Sequence, residues 1–262
     1  MIKAFYYALL EIFTLGKGIK RTINNTPITF PTRYYKYYED GYEKENFQFI
    51  ADKVKPGDLV LDIGGHIGLY AVTFGKMVQP LGNVYSFEPT PQTNKILRKS
   101  VELNKLQNTV TVQNEAISKE KGETTFYISD LLMDNSNSLV NFSKPRSVHG
   151  IKVPLISIDD FSKTLSRKVD FLKIDVEGAE LDAVIGARET MQKDGPLAIL
   201  ALHPTQIKSK GDSLEQIWDV VTGYNYEVLY NGKKIDKDFF CTQQNLFDVW
   251  LQPRKHYQKI SI

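Results

Sequence analysis

Between Lys55 and Pro204 the chain alternates short apolar runs of strand length with stretches whose apolar residues recur at helical spacing. The runs are LVLDI (59–63), VYSF (84–87), VTVQN (110–114), FLKI (171–174) and AILAL (198–202). Leu69 to Met77, Thr93 to Asn104 and Leu181 to Met191 carry the helical spacing, as in Leu181, Val184, Ile185 and Arg188. Strands that alternate with helices predict right-handed crossovers and a parallel, doubly wound α/β sheet. Runs such as AILAL, apolar at successive positions, suit strands buried on both faces. The tail leaves this alternation: YEVLY (226–230), Asn231-Gly232 and NLFDVWL (245–251) predict two further strands. Asn-Gly alone would close a tight hairpin, but KKIDKDFFCTQ lengthens the connection. Residues 130–150, rich in Asn, Ser and Pro, predict a long surface loop of the kind that carries substrate contacts.

At the N-terminus Ile2, Phe5, Leu9, Ile12 and Phe13 follow a helical period and predict an amphipathic helix. The apolar run is too short to span a membrane, Glu11 interrupts it, and no small-residue cleavage site follows. The expectation is that the helix packs on the main domain. A peripheral membrane contact through residues 1–21, helped by Lys17, Lys20 and Arg21, is the alternative. RYYKYYEDGY (33–42) reads as a half-buried cover segment or as a wall for a sugar or other flat-faced ligand. The expected division is an N-terminal extension, residues 1–45, followed by one domain, residues 46–262.

Composition narrows the field of functions. The chain has 262 residues, 42% of them hydrophobic, and its net charge of +2 is too balanced for a protein devoted to nucleic acid. One cysteine, Cys241, excludes an internal disulfide and a Cys-based zinc site, and fits a reducing, cytoplasmic setting.

The candidate chemistry lies at the carboxyl ends of the strands, where open parallel sheets bind ligands. The first strand runs into Asp62-Ile63-Gly64-Gly65-His66-Ile67-Gly68. Glycines there permit a sharp turn and close approach of a ligand to main-chain N–H groups. The dinucleotide fingerprint would need glycine at position 63, where isoleucine stands; the pattern is acid-x-Gly-x-x-x-Gly. A carboxylate at that point repels a pyrophosphate and suits a cationic or hydroxyl-bearing cofactor. Twenty residues after Gly68, Glu88 ends the second strand and is placed to accept bonds from ribose hydroxyls.

These residues resemble the class I S-adenosylmethionine-dependent methyltransferases, and more narrowly the FkbM-type family, from about Lys55 to Pro204. DIGGHIG (62–68) resembles that family's cofactor loop, FEPTP (87–91) its acidic ribose-binding turn, and NEAIS (114–118) its third-strand end. SNSLV (136–140) and VPLISIDDF (153–161) match further segments, and VDFLKIDVEGAE (169–180) resembles its most diagnostic motif. The resemblance implies a Rossmann-like, seven-stranded sheet with the last strand antiparallel. It implies S-adenosylmethionine as cofactor and a hydroxyl of a sugar, glycan or secondary metabolite as acceptor. The cofactor-binding residues would be Asp62, Gly64, Gly65, His66, Gly68, Glu88, Pro89 and Ala116. Two departures stand out. His66 occupies a position where relatives commonly carry Asn, and Ala201 one where the fifth strand often ends in an acid.

On the acceptor side the candidates are Asp175, Lys173 and His203. Asp175 follows the fourth strand and reads as a general base, or with Glu177 as a divalent-metal ligand, or as one of a group of acids that only cap the next helix. Lys173, two residues earlier on the same face, reads equally as a core-edge lysine or a substrate clamp. His203 is placed for a base poised near neutral pH, with a structural role as its alternative. Glu180 reads as a helix cap or a solvated acid. Two other functions stay open at this point: a nicotinamide-dependent oxidoreductase, and a binding module that keeps the cofactor pocket without chemistry.

Overall fold

A computed structural model describes residues 2–129 and 148–254. The N-terminal part comprises α1 (Ile2–Thr14), the hairpin β1 (Ile19–Ile23) and β2 (Thr26–Phe30), and α2 (Lys44–Lys53). The hairpin was not legible in the hydrophobic pattern. Its two turn residues are Asn24 and Asn25, with φ of 45° and 65°, which is the left-handed geometry of a primed turn that Asn tolerates. There follow β3 (Leu59–Ile63), α3 (Leu69–Val78), β4 (Asn83–Phe87), α4 (Pro91–Leu103), β5 (Val110–Gln113), β6 (Ala116–Ile117) and β7 (Gly122–Ser129). After β8 (Val148–Ile156) come α5 (Ile158–Ser162), β9 (Phe171–Ile174), α6 (Glu180–Ile185), α7 (Arg188–Lys193), β10 (Leu197–Leu202), α8 (Pro204–Lys210) and α9 (Leu214–Gly223). The tail adds β11 (Tyr226–Tyr230), β12 (Lys233–Lys234), α10 (Lys237–Cys241) and β13 (Phe247–Pro253).

The central sheet has the order β12-β11-β13-β10-β9-β3-β4-β5. Its strands β10, β9, β3, β4 and β5 are parallel, and β13 runs antiparallel between β10 and β11. This is the expected Rossmann-like sheet, with the two-residue β12 added at the edge. Asn231 and Gly232 both adopt positive φ and close β11 tightly onto β12, so the predicted tight turn and the longer connection to β13 both occur. The stretch from Leu181 to Met191, expected as one helix, is broken at Gly186. A side chain there would lie 2.3 Å from the Ser118 carbonyl oxygen, and the Gly186 carbonyl accepts the N–H of Asp159. A second sheet, β6-β8-β7, was also unforeseen; β8 begins at Val148, so the expected loop ends before Gly150. The serine-rich SNSLV segment lies outside the described residues.

Alternation along the strands sorts the core into two layers. Leu59, Leu61 and Ile63 of β3 face the layer under α6, α7 and α9. Val60 faces the other layer, built with Phe74 and Leu97 from α3 and α4. The N-terminal part shares that second layer: Ile23, Ile28, Phe30, Tyr34 and Tyr38 are buried in it with Phe49 and Ile50 of α2. No described helix is long and apolar enough to cross a membrane.

Candidate functional site

The carboxyl ends of β3, β4 and β9 open into one cleft of about 980 Å³, counting the solvent it opens to. Gly64, Gly65 and His66 line it from β3, Glu88, Pro89 and Thr90 from β4, and Lys173, Asp175 and Glu177 from β9, with Glu115 and Ala116 on the flank. Tyr38, Tyr42 and Tyr70 line it as well.

The loop after β3 is held from below. The N–H groups of Gly64 and Gly65 both donate to the Phe87 carbonyl, 3.0 and 2.9 Å away. Gly64 has φ of +85°, and a side chain on it would lie 1.9 Å from the Asp175 carbonyl oxygen, so only glycine lets the loops after β3 and β9 cross this closely. His66 also has positive φ, 47°, a conformation open to Asn and His more than to most residues. That preference gives a backbone reason for Asn in relatives and for histidine here. The histidine adds a contact, since its Nδ1 lies 2.9 Å from the buried Tyr38 hydroxyl. Burial pushes the imidazole down to about 4, so it is neutral at pH 7.

Glu88 is buried at the floor of the cleft. One oxygen accepts the N–H of Thr90 (2.9 Å) and the other that of His66 (3.1 Å), which leaves each oxygen a further lone pair. Burial raises this carboxyl to about 7 in spite of those bonds. Asp62 and Gly68 lie outside the lining. Asp62 is fully buried on the face of β3 that carries Val60, accepts from the Ser86 hydroxyl at 2.7 Å, and pairs in register with Lys173. Gly68 precedes α3 with φ of +97°, a conformation that favours glycine, and packs against Leu97 and Ser100 of α4.

On the β9 side four charged groups form a chain of alternating sign. Lys173, only 3% exposed, donates to Asp175 at 3.1 Å and rests 4.6 Å from the centre of the Tyr70 ring. Asp175 faces His203 Nε2 at 3.7 Å, and His203 Nδ1 meets Glu180 at 2.7 Å. Burial works against the charge of Lys173, yet Asp175 and Asp62 hold its ammonium above its ordinary value. Burial likewise opposes ionisation of Asp175, but Lys173 and His203 bring it below the usual carboxylate range. For His203, Glu180 and Asp175 outweigh burial and raise the imidazole. Glu180 is thus neither solvated nor merely a cap: it is fully buried, accepts the Gly178 N–H at 3.0 Å, and holds His203. Glu177, the second metal-ligand candidate, lines the cleft, and burial with the Asp175 charge raises it to about 8. Both Asp175 oxygens already face cationic side chains. Among the described residues no group of three or more His, Cys, Asp and Glu side chains is placed to hold a metal ion.

A further acidic group escaped the sequence reading. Ala201 pairs across the β10–β13 ladder with Asp248, so a carboxylate stands one strand over from the position that relatives often fill with an acid. Asp248 accepts from Asn46, whose side-chain oxygen accepts from Trp250 Nε1 at 2.9 Å; Tyr70 donates to nearby Glu43. Burial raises Asp248 to about 7. Only the strand register could have disclosed it.

A curated methyltransferase of Beauveria bassiana, named Methyltransferase 1, is 26% identical over 48% of this chain and 57% of its own length. The 2-O-methyltransferase NoeI of Sinorhizobium fredii is 26% identical over 57% of this chain and 65% of its own length. The hexuronic acid methyltransferase AglP of Haloferax volcanii is 23% identical over 57% of this chain and 58% of its own length. The match thus spans less than two thirds of each relative. A solved structure from Clostridium thermocellum, assigned as an rRNA methylase, superposes with a TM-score of 0.52 at 13% identity, over 80% of this chain and 94% of that one, a likeness of fold alone. The model of the methyltransferase FkbM domain matches residues 62–228, well over half the chain, which sets the oxidoreductase reading aside. The match takes in the glycine loop, Glu88 and the whole Lys173–Glu180 chain of charges, and on that ground the chain belongs to the FkbM methyltransferase family.

Proposed function

We propose that the protein transfers the methyl group of S-adenosylmethionine to a hydroxyl oxygen, on a sugar, a glycan or a secondary metabolite. The observation that carries this reading is a single cleft lined both by a ribose-type acid, Glu88, and by the Lys173–Asp175 pair. Glu88 would hold the ribose hydroxyls, Gly64, Gly65 and His66 the loop above it, and Pro89 and Ala116 the flat faces of the base. The cofactor supplies an electrophilic methyl on a cationic sulfur, and a cleft lined by three carboxyl groups, of which Asp175 is held ionised, suits that charge better than a polyanion. The same argument leaves nucleic acid a poor acceptor.

The chain's own residues then handle the hydroxyl. Most of the acceleration comes from positioning. Asp175, held by Lys173, accepts a hydrogen bond from the acceptor O–H and so points an oxygen lone pair at the cofactor. A carboxylate of lowered basicity suffices: the O–H would become strongly acidic as its oxygen takes the methyl and the methyl–sulfur bond breaks, leaving a neutral thioether, and Asp175 would take the proton. His203 supports that carboxylate from the far side. Tyr38, Tyr42 and Tyr70 supply apolar rings with polar tips against which a sugar face can rest. In this reading residues 1–45 act as the acceptor-side cover of a methyltransferase domain formed by residues 46–262. The names of NoeI and AglP support an oxygen and a sugar acid as acceptor chemistry in relatives.

The test is calorimetric titration with S-adenosylmethionine, followed by a coupled assay of S-adenosylhomocysteine release on a panel of sugars, uronic acids and phenols. Binding plus turnover on a hydroxyl acceptor is expected. Binding without turnover on any of them would favour the non-catalytic module, and no binding would remove the cofactor assignment.

A further inference from the structure

The N-terminal helix presents a face that the fold does not use. On α1 the residues turned toward the protein are Tyr7, Leu10 and Thr14, which are half-buried. Thr14 lies 3.1 Å from the Thr32 hydroxyl, and Tyr6 reaches Tyr35 at 3.0 Å between the two phenol oxygens. The apolar stripe expected to pack inward instead faces out. Ile12 is 67% exposed, Phe13 80%, and Leu15, just past the helix, 76%; Leu9 joins them. Solvated apolar side chains this large, side by side on one short segment, mark a binding surface more than a random scatter of exposed residues does.

The charge around the stripe says what covers it. Lys17 and Lys20 follow directly, and Arg33 and Lys36 lie on the Thr32–Lys36 segment against which α1 is held; all four are exposed. Residues 2–38 carry six Lys and Arg against one carboxylate, Glu11, in a chain whose net charge is only +2. The remainder is therefore net acidic, and residues 2–38 carry more positive charge than the whole chain does net. At ~1.5 Å per residue a 13-residue helix is about 20 Å long, short of the ~30 Å hydrocarbon core, so it can lie along a bilayer and cannot cross one.

We infer that α1 docks the protein on an anionic lipid surface, with Leu9, Ile12, Phe13 and Leu15 in the acyl boundary and Lys17, Lys20, Arg33 and Lys36 against the phosphates. The segment that anchors α1 continues into Tyr38 and Tyr42 of the cleft wall, so docking would hold the cleft near acceptors carried at that surface. This last step rests on the methyl-transfer reading; the docking does not.

The experiment is sedimentation of the full chain with vesicles of phosphatidylcholine alone and with added phosphatidylglycerol. We expect at least about tenfold tighter binding to the anionic vesicles, lost as salt rises from about 0.1 M to about 1 M. The double substitution I12D/F13D should weaken binding by at least tenfold. Its circular dichroism and S-adenosylmethionine titration should stay unchanged, because both side chains are exposed. K17E/K20E should abolish the preference for anionic lipid. Equal sedimentation with and without vesicles, or binding that survives I12D/F13D, would overturn the inference. So would a wild-type dimer that F13D splits while neither vesicle type binds, since the stripe would then be covered by a second copy.

Discussion

Glu180→Gln tests whether the buried chain of charges is machinery or scaffolding. Glutamine keeps the shape of the side chain and an oxygen that can accept from Gly178 and His203, but removes the charge that holds the imidazolium. The 2.7 Å contact to His203 then changes from a charge-assisted bond, about 1.5–3 kcal/mol, to a neutral one, about 0.5–1.5 kcal/mol. The expected cost is about 1–2 kcal/mol, or roughly 2–8 °C in Tm for a chain of this size. The sign with pH follows from linkage. Because the folded state raises His203, its stabilisation is present below the ordinary histidine range and disappears as pH rises through the folded value. In the variant that pH-dependent part should flatten. The chain has four histidines, so the His203 resonance can be titrated directly by NMR. We expect its midpoint to fall in Glu180→Gln and the pH profile of methyl transfer to move with it, while KM for S-adenosylmethionine stays constant. Glu180→Ala should cost more, since it leaves His203 Nδ1 and the Gly178 N–H unpaired in the core. A His203 midpoint and a pH profile both unmoved in Glu180→Gln would refute the reasoning.

Three further predictions follow from the cleft. Glu88 must ionise to accept hydroxyls with both oxygens, so S-adenosylmethionine affinity measured by calorimetry should fall as pH drops below about 7, and Glu88→Gln should lower it and remove that dependence. Tyr38→Phe takes away the partner of His66 Nδ1; a loss of about 0.5–1.5 kcal/mol in chemical denaturation and a raised acceptor KM are expected, with cofactor affinity little changed. Gly64→Ala forces a side chain into the Asp175 carbonyl at positive φ, so thermal melting should show one of the largest destabilisations of any surface-loop substitution in this chain, together with loss of cofactor binding.

Much of this protein is written locally. Strand-length apolar runs and helical periods gave the alternation of the sheet because each records burial of its own segment. The glycine loop and Glu88 were legible because sharp turns and strand-end acids depend on residues close together in the chain. Lys173 and Asp175 were found as a pair because two residues on one strand share a face. What stayed hidden depends on contacts between distant segments. Glu180 looked like a cap until the fold carried His203 to within 2.7 Å of it, from 23 positions away. Asp248 has no motif of its own; the antiparallel register of β13 sets it opposite Ala201. The helical period of α1 identified its apolar stripe correctly and its direction wrongly. Periodicity reports which residues share a face, whereas Thr32 and Tyr35, far along the chain, decide which face meets the protein. The sequence by itself determined the parallel core of the sheet, the glycine loop and acid at its carboxyl edge, and the charged residues on offer. Only tertiary structure decided which charges are paired, which are buried, and which apolar surface is left exposed, because those depend on what the fold brings alongside.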